Sequence, residues 1–141
     1  MIIYFDTSAL VKLYVEETGS NRIRDITHRA SVISTSKIAY PEARSAFARK
    51  RKEGGFSQNA LRRIVEELNR DWESYLVIEI TDGLVRSAGD LAEKYLLRGF
   101  DSIHLASAVQ LRNKIRSEVS FSSTDLKLNQ SAEKEGLSVV S

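Results

Sequence analysis

The sequence of 141 residues contains no cysteine, one proline and two histidines. The lack of cysteine excludes disulfide bonds, thiol catalysis and thiolate metal sites, and it suits a reducing compartment such as the cytoplasm. No apolar run approaches the roughly 20 residues of a membrane span. The apolar residues 1–5 have no basic leader and are followed by Asp6, so we predict no signal peptide. We therefore expect a cytoplasmic protein with no membrane partner.

Several catalytic signatures are also missing. The sequence has no GxSxG, GxxxxGK[ST], GxGxxG or HExxH segment. These absences count against serine hydrolases, P-loop enzymes, dinucleotide-binding enzymes and zincins. With two histidines and no cysteine, the side chains left for metal or acid–base chemistry are mainly carboxylates.

The remaining composition is that of an ordinary globular protein. Apolar residues make up 42% and charged residues 28%, which is enough for one hydrophobic core in a chain of this length. No linker, repeat or low-complexity tract divides the sequence. We therefore predict a single domain over residues 1–141.

Short apolar runs alternate with segments of helical periodicity. Strands are predicted at residues 1–5, 31–34, 76–80, 118–123 and 137–140. Helices are predicted at residues 7–15, 20–28, 36–52, 82–97, 101–115 and 125–134, with a further amphipathic helix after Ser57 that carries Leu61, Ile64, Val65, Leu68 and Trp72 on one face. Pro41 requires that the third helix is kinked or begins near Pro41. This alternation predicts an α/β fold with a central parallel sheet and helices on both faces, in three layers.

Four acidic residues occupy informative places in this pattern. Asp6 and Asp125 follow the first and fourth predicted strands, Asp101 opens the most apolar helix, and Glu42 lies in a mostly small or apolar stretch. In a parallel sheet, Asp6 and Asp125 fall at the same edge, where ligands of open α/β folds bind. The pattern therefore predicts a shared acidic site.

Each of these residues also has a purely structural interpretation. The three aspartates are suitable helix N-caps. Glu42 is placed to pair with Arg49 or Lys50 on the same helix. His104 lies on the helix face of Asp101, where it is either a buried structural residue or one that orients Asp101 or contacts substrate.

If the four carboxylates converge, they require cations, because like charges at short range raise one another's pKa. Oxygen ligands without cysteine select hard ions such as Mg²⁺ or Mn²⁺, one or two in number. Two such ions roughly 4 Å apart can clamp a phosphodiester for attack by water.

A basic strip follows Glu42 and consists of Arg44, Arg49, Lys50, Arg51 and Lys52. Such a strip beside a cation-loaded acidic site suits a polyanionic substrate. The alternative is an ordinary solvated helix face.

Four segments in order resemble the motifs of the PIN domain family, and most closely those of its VapC-type toxin ribonucleases. They are residues 2–14 (IIYFDTSALVKLY), 39–44 (AYPEAR), 97–106 (LRGFDSIHLA) and 121–125 (FSSTD). The third segment is the most specific. The resemblance covers the chain from its first strand to its last.

This resemblance implies an α/β/α PIN-like domain with divalent-metal ribonuclease activity. By position, Asp6 and Asp101 would be the core metal ligands, and Glu42 and Asp125 would complete the acidic site. The supporting residues would be Thr7, Ser8, Thr124 and His104. The basic strip would bind RNA.

The resemblance also implies partners. VapC-type toxins are inhibited by an antitoxin that lays a segment across the site, often with an arginine on the acids. A homodimer is common in the family, and apolar residues of the helices at 36–73 could supply its interface.

Two other functions are compatible with the residues. The first is a non-catalytic module of the same fold that binds RNA or protein through the basic strip. The second is a phosphoacceptor domain of receiver type, for which the nearest acceptor candidates, Glu79 and Asp82, are poorly placed.

Overall fold

The computed structural model describes residues 1–140. This part of the chain forms five strands, namely β1 (Ile2–Phe5), β2 (Val32–Ser36), β3 (Leu76–Ile78), β4 (Val119–Ser122) and β5 (Ser138–Val139). Its seven helices are α1 (Thr7–Val11), α2 (Ser20–Arg29), α3 (Ala39–Lys52), α4 (Gln58–Trp72), α5 (Asp82–Tyr95), α6 (Gly99–Ile115) and α7 (Leu126–Lys134). None of these helices has the length and hydropathy that crossing a bilayer requires.

The five strands form one sheet in the order β3-β2-β1-β4-β5, and every neighbouring pair is parallel. From β1 the chain moves outward through β2 to β3 and then returns to the other side of β1 to form β4 and β5. The direction of winding therefore reverses between β1 and β4. In open α/β sheets, the crevice beyond the carboxyl ends of such strands is the usual ligand site.

Alternate residues of β1 face opposite layers, as expected for the two-residue period of a strand. Ile3 and Phe5 pack in one core with residues of α1, α2 and α3, such as Leu10 and Ile26. Tyr4 faces the other core, which contains residues of α6 and α7 together with Val119 and Phe121 of β4. Its ring stacks on that of Phe121 at a centroid distance of 5.7 Å. The predicted α/β architecture, with a parallel sheet between helical layers, is confirmed.

The first helix is shorter than predicted. It ends at Val11 instead of continuing to residue 15. From Lys12 to Tyr14 the backbone N–H groups bond to carbonyls three residues earlier, which makes a tighter turn. Leu13 and Tyr14 still pack against the core, so the apolar spacing that predicted the helix reflects packing of this turn.

Two other helices begin at positions that affect the acids. Helix α3 begins at Ala39, so Pro41 lies in the first turn, where a missing N–H leaves no helical bond unmade. Helix α6 begins at Gly99, two residues before the predicted start, with Arg98 at the N-cap. Asp101 therefore lies inside the first turn, and its interpretation as an N-cap is wrong.

Candidate functional site

Asp6 ends β1 and caps α1. Its Oδ1 accepts hydrogen bonds from the Ala9 backbone at 3.0 Å and from the Ser8 hydroxyl at 2.7 Å, and its Oδ2 accepts one from the Ser123 hydroxyl at 2.5 Å. The side chain is buried. A carboxylate offers about four lone pairs, and these contacts leave one of them, on Oδ2, without a partner. Asp6 is thus both an N-cap and a fixed carboxylate with capacity for one more ligand.

Ser123, which follows β4, ties the two strand ends together. Its hydroxyl donates to Asp6 and accepts from the backbone N–H of Asp125 at 3.0 Å. The Ser8 hydroxyl, in turn, accepts from the backbone N–H of Thr124 at 3.1 Å. Because β1 and β4 are adjacent parallel strands, their polar carboxyl ends lie side by side. Ser8 and Thr124 were predicted as supporting residues. Ser123 was not, because its only signal in the sequence is a small hydroxyl residue at the end of a strand.

Asp125 is the N-cap of α7. Its Oδ1 accepts from the backbone N–H groups of Lys127 at 2.9 Å and Leu128 at 3.2 Å. The residue is exposed and does not line the cavity described below. It is nevertheless close enough for its charge to act on Asp101.

Asp101 lies in the first turn of α6 and faces the other acids. Burial raises the pKa of its carboxyl, and the charges of Asp6 and Asp125 raise it further. Interactions with His104 and Arg98 act in the opposite direction without cancelling this rise. No side-chain hydrogen bond to this carboxylate is present in the described part of the chain, so its oxygens are open to a cation or a proton.

Glu42, in the first turn of α3, is held by two polar side chains. Its Oε1 accepts from the Thr7 hydroxyl at 2.5 Å and lies 3.0 Å from Nε2 of His104. Burial acts to raise the pKa of the Glu42 carboxyl, but the hydrogen bonds from His104 and Thr7 outweigh burial and leave this pKa below its usual value. Lys50 pairs instead with Glu17, at 2.9 Å. Oε2 of Glu42 has no hydrogen bond among residues 1–140 and is free to accept another group.

His104 is buried in α6 and spans the space between Glu42 and β1. Its Nδ1 lies 2.8 Å from the Tyr4 hydroxyl, and its Nε2 lies 3.0 Å from both Glu42 Oε1 and Thr7 Oγ1. An ionised carboxylate can only accept hydrogen bonds, so the contact with Glu42 assigns the ring proton to Nε2. Nδ1 is then the acceptor, and the Tyr4 hydroxyl donates to it. His104 therefore orients Glu42 by hydrogen bonding and not Asp101.

These side chains line one open cavity of about 500 Å³. Of the residues predicted from sequence, the cavity is lined by Asp6, Thr7, Ser8, Glu42, Arg49, Lys50, Asp101, His104 and Thr124. Arg44, Arg51 and Lys52 are exposed elsewhere on α3 and do not line it. The structure thus brings three of the four acids and two of the five basic residues to a common space.

Three further charged residues line this cavity and were not predicted from sequence: Lys12, Glu17 and Glu53. Glu17 accepts from Lys12 at 3.1 Å and from Lys50 at 2.9 Å, so one carboxylate joins the turn after α1 to helix α3. Lys12 falls within the segment 2–14, but its position in a motif did not reveal that its ammonium faces the cavity.

The donor set of this cavity suits a hard divalent ion. It offers carboxylate oxygens from Asp6, Glu42 and Asp101, each with an oxygen that retains free lone pairs. Among residues 1–140, no group of three or more His, Cys, Asp or Glu is arranged as a ready-made metal cage. Mg²⁺ does not need one, because it binds through one or two carboxylates and retains several waters.

Comparison with known proteins adds independent observations. Residues 3–133 match the family model described as PIN domain. The chain is 36% identical over 112 residues to Ribonuclease VapC45 of Mycobacterium tuberculosis (strain CDC 1551 / Oshkosh), a match that spans 77% of this chain and 75% of that protein.

Two solved structures share the fold at low sequence identity. FitAcB from Neisseria gonorrhoeae has a TM-score of 0.67 and 13% identity, over 99% of this chain and 96% of that chain. A toxin–antitoxin complex from Klebsiella pneumoniae has a TM-score of 0.62 and 16% identity, again over 99% and 96%.

Proposed function

The chain belongs to the PIN domain family, and on this basis we propose that it is a divalent-metal-dependent endoribonuclease that hydrolyses phosphodiester bonds of RNA. The observation that carries the proposal is the convergence of Asp6, Glu42 and Asp101 on one cavity. This cavity lies at the end of β1, beside which the winding direction of the sheet reverses. The match to a protein named as a ribonuclease, at 36% identity, supports the same reaction.

In this proposal, Asp6 and Asp101 hold the ion, which is Mg²⁺ or Mn²⁺. Glu42 and Asp125 complete the acidic site, in part through water, and the number of ions is one or two. When bound, a divalent ion supplies Lewis-acid polarisation of the phosphodiester and permits attack by water near neutral pH.

The protein's own side chains then have distinct tasks. Ser123 and Ser8 fix the Asp6 carboxylate, so that its remaining lone pair points in one direction. His104 and Thr7 keep Glu42 ionised and leave Oε2 to face the reacting groups or their water. Such preorganised charge costs no rearrangement during the reaction and is a principal source of catalysis.

Basic residues would bind the RNA backbone. Arg49 and Lys50 line the cavity together with the acids, so they are placed to contact phosphates next to the cleaved bond. Arg44, Arg51 and Lys52 lie on exposed parts of α3, where they would contact phosphates further away. Both contributions should weaken as salt concentration rises.

We further propose that the enzyme is the cytoplasmic toxin of a type II toxin–antitoxin pair and forms a homodimer. The cognate antitoxin would occupy the acidic cavity, where a guanidinium can pair with several carboxylates at once. The similarity to a protein named VapC45, and in fold to a chain of a toxin–antitoxin complex, supports this role.

The decisive experiment is cleavage of total RNA by the purified protein with added Mg²⁺ or Mn²⁺. We expect D6A and D101A each to lower the rate at least about 100-fold, since each removes charge that holds the ion. The matched control is D90A, because Asp90 is an exposed aspartate of α5 outside the acidic cavity.

EDTA should abolish cleavage by the wild-type protein. Equal cleavage by wild type, D6A and D101A would refute the proposal. Binding of RNA that persists in EDTA, is sensitive to salt and is never followed by cleavage would favour the non-catalytic module instead.

A further inference from the structure

Phe100 is an exposed aromatic residue next to the acidic cavity. It lies in the first turn of α6, directly before Asp101, and is 57% exposed. Other apolar residues of this helix, such as Leu105 and Leu111, are buried in the core. An exposed phenylalanine forgoes the stabilisation that burial of its ring would provide. Packing within the chain therefore gives no reason for an aromatic ring at this position.

A small second cavity of about 340 Å³ lies beside Phe100, and Arg98, Gly99, Asp101 and Glu42 also line it. Glu42 and Asp101 line the larger acidic cavity as well, so the two spaces meet at these carboxylates. A polymer that crosses the acids would thus meet Arg49 and Lys50 in the larger cavity and Phe100 in the smaller one.

On the basis of the proposed function, we propose that Phe100 stacks on the base of a nucleotide adjacent to the cleaved phosphodiester and thereby determines the base preference at that position. Single-stranded RNA is recognised largely by unstacked bases that lie against aromatic side chains. The exposed Arg98 brings a positive charge to the same cavity, where it pairs with a phosphate of this nucleotide. Phe100 is therefore a substrate-binding residue that acts on specificity.

RNA is favoured over a protein partner because this cavity adjoins the acidic cavity that would hold the cleaved phosphodiester, and because, among residues 1–140, no apolar side chain other than Phe100 lines it. Two more exposed apolar residues, Leu96 and Leu126, lie near the start of α6 and α7. Neither lines the cavity of Phe100. They serve as controls of similar character outside the proposed stacking position.

The first test measures which bonds are cut in a library of single-stranded RNA oligonucleotides of randomised sequence, with Mg²⁺, by sequencing the new ends. We expect wild type to prefer particular bases at one position beside the cleaved bond and F100A to lose this preference. For a preferred sequence, F100A should lower kcat/KM about tenfold, the usual effect of one lost stacking contact. L96A should retain both the preference and the rate.

The second test places a fluorescent ring at the same position. In F100W, binding of an oligoadenylate should quench the fluorescence of the new indole, because stacking brings it against a base. In L96W, whose indole would also be exposed but would lie outside the cavity, the same oligonucleotide should cause no quenching. Equal quenching in both variants, or in neither, would overturn the proposal.

Failure of this inference differs from failure of the proposed function. If wild type and F100A cut the library with the same base preferences, the inference is wrong and the nuclease remains. A protein partner would then be the alternative occupant of this exposed surface. If wild type cuts no RNA under any metal condition, the proposed function itself fails and removes this inference with it.

Discussion

Nε2 of His104 lies 3.0 Å from Oε1 of Glu42, and this contact joins two helices that approach the acidic cavity from opposite layers of the fold. On the far side of the imidazole ring, Tyr4 of β1 bonds to Nδ1 at 2.8 Å. The orientation of Glu42 is thus set by the sheet through a histidine. A single buried chain of hydrogen bonds links the central strand to the site.

Replacement of His104 should impair catalysis through Glu42. In H104Q, burial of Glu42 is no longer offset by the imidazole, so the pKa of its carboxyl should rise. If Glu42 acts as a carboxylate, the acidic limb of the pH–rate profile should then move to higher pH, and the rate near neutral pH should fall about 10- to 100-fold. RNA cleavage measured between pH 5 and 9 tests this prediction.

The control for H104Q is H28Q, which changes the other histidine of the chain, an exposed residue of α2. H28Q should leave the pH–rate profile unchanged. A profile of H104Q that keeps its shape and loses only amplitude would show that His104 does not control the ionisation of Glu42.

Ser123 should affect metal affinity without being a metal ligand. In S123A, Oδ2 of Asp6 loses the donor at 2.5 Å, so the carboxylate gains rotational freedom. Loss of such an orienting hydrogen bond typically weakens metal binding about tenfold or more. Isothermal titration with Mn²⁺ measures the effect directly.

Ser120 provides the matched control, because it is a buried serine of β4 at the end remote from Asp6. S120A should bind Mn²⁺ as wild type does. Equal affinity of S123A and wild type would mean that Asp6 is held sufficiently by Ser8 and the α1 backbone.

Neutralising Asp101 should stabilise the metal-free protein while it abolishes activity. The raised pKa of this carboxyl means that folding disfavours its charged form, so above this pKa the native state is destabilised relative to the unfolded chain. D101N removes that charge and should raise Tm by roughly 1 to 3 °C at pH 7 in EDTA. A saturating concentration of Mn²⁺ should reverse the order, because it stabilises wild type alone.

Thermal unfolding of wild type and D101N, each in EDTA and in Mn²⁺, gives the four required values. If D101N has a lower Tm than wild type in EDTA, the charge of Asp101 does not destabilise the metal-free protein.

The ionised Glu17 carboxylate should stabilise the folded protein, whereas the ionised Asp101 carboxylate destabilises it. Burial acts to raise the pKa of its carboxyl, but the hydrogen bonds and charges of Lys50 and Lys12 outweigh burial, and the pKa falls below its usual value of 4.5. A carboxyl with a lowered pKa in the folded state stabilises the protein above its unfolded pKa, and this contribution is lost as pH falls through the folded pKa.

At pH 7, E17Q should therefore lower the free energy of unfolding by about 1 kcal/mol or less, as is usual for partly exposed ion pairs. The difference from wild type should disappear in acid below the lowered pKa. Urea unfolding at pH 7 and at an acidic pH below the lowered pKa of Glu17 measures both values. E16Q is the control, since the Glu16–Arg24 pair lies on the exposed surface. A destabilisation of E17Q that is equal at both pH values would point to lost packing instead.

The architecture could be predicted from the sequence because the spacing of apolar residues is typical of strands in some segments and of helices in others. The parallel sheet followed from that alternation, and the position of Asp6 and Asp125 at one edge followed from parallel strands. The predicted first residues of some helices were less accurate. The helix predicted at residues 101–115 left out Gly99, yet the first turn of a helix leaves its N–H groups unbonded in any case, so glycine is tolerated there. That the whole of residues 1–141 folds as one domain stays a prediction.

The side-chain partners of the site were harder to predict. His104 lies three residues after Asp101 in sequence, which suggested that it serves Asp101, but its ring reaches Glu42 on another helix. Glu17 joins Lys12 and Lys50 across the turn that follows α1, where the sequence pattern predicted that the helix continues to residue 15. Contacts between distant elements depend on side-chain direction in three dimensions, and periodicity along one segment does not contain that information.

The pairing of β1 with β4 has a consequence for synthesis of the chain. Asp6 is synthesised before Asp101 and before the strand that positions Ser123, both of which follow it by more than ninety residues. Early helices and the pairing of β1 with β2 can form while the chain grows, but the pairing of β1 with β4 must wait for β4. A chain that ends before β4 therefore lacks the full acidic cavity, and a nuclease built in this way acquires its site only after Asp101 and β4 have been made.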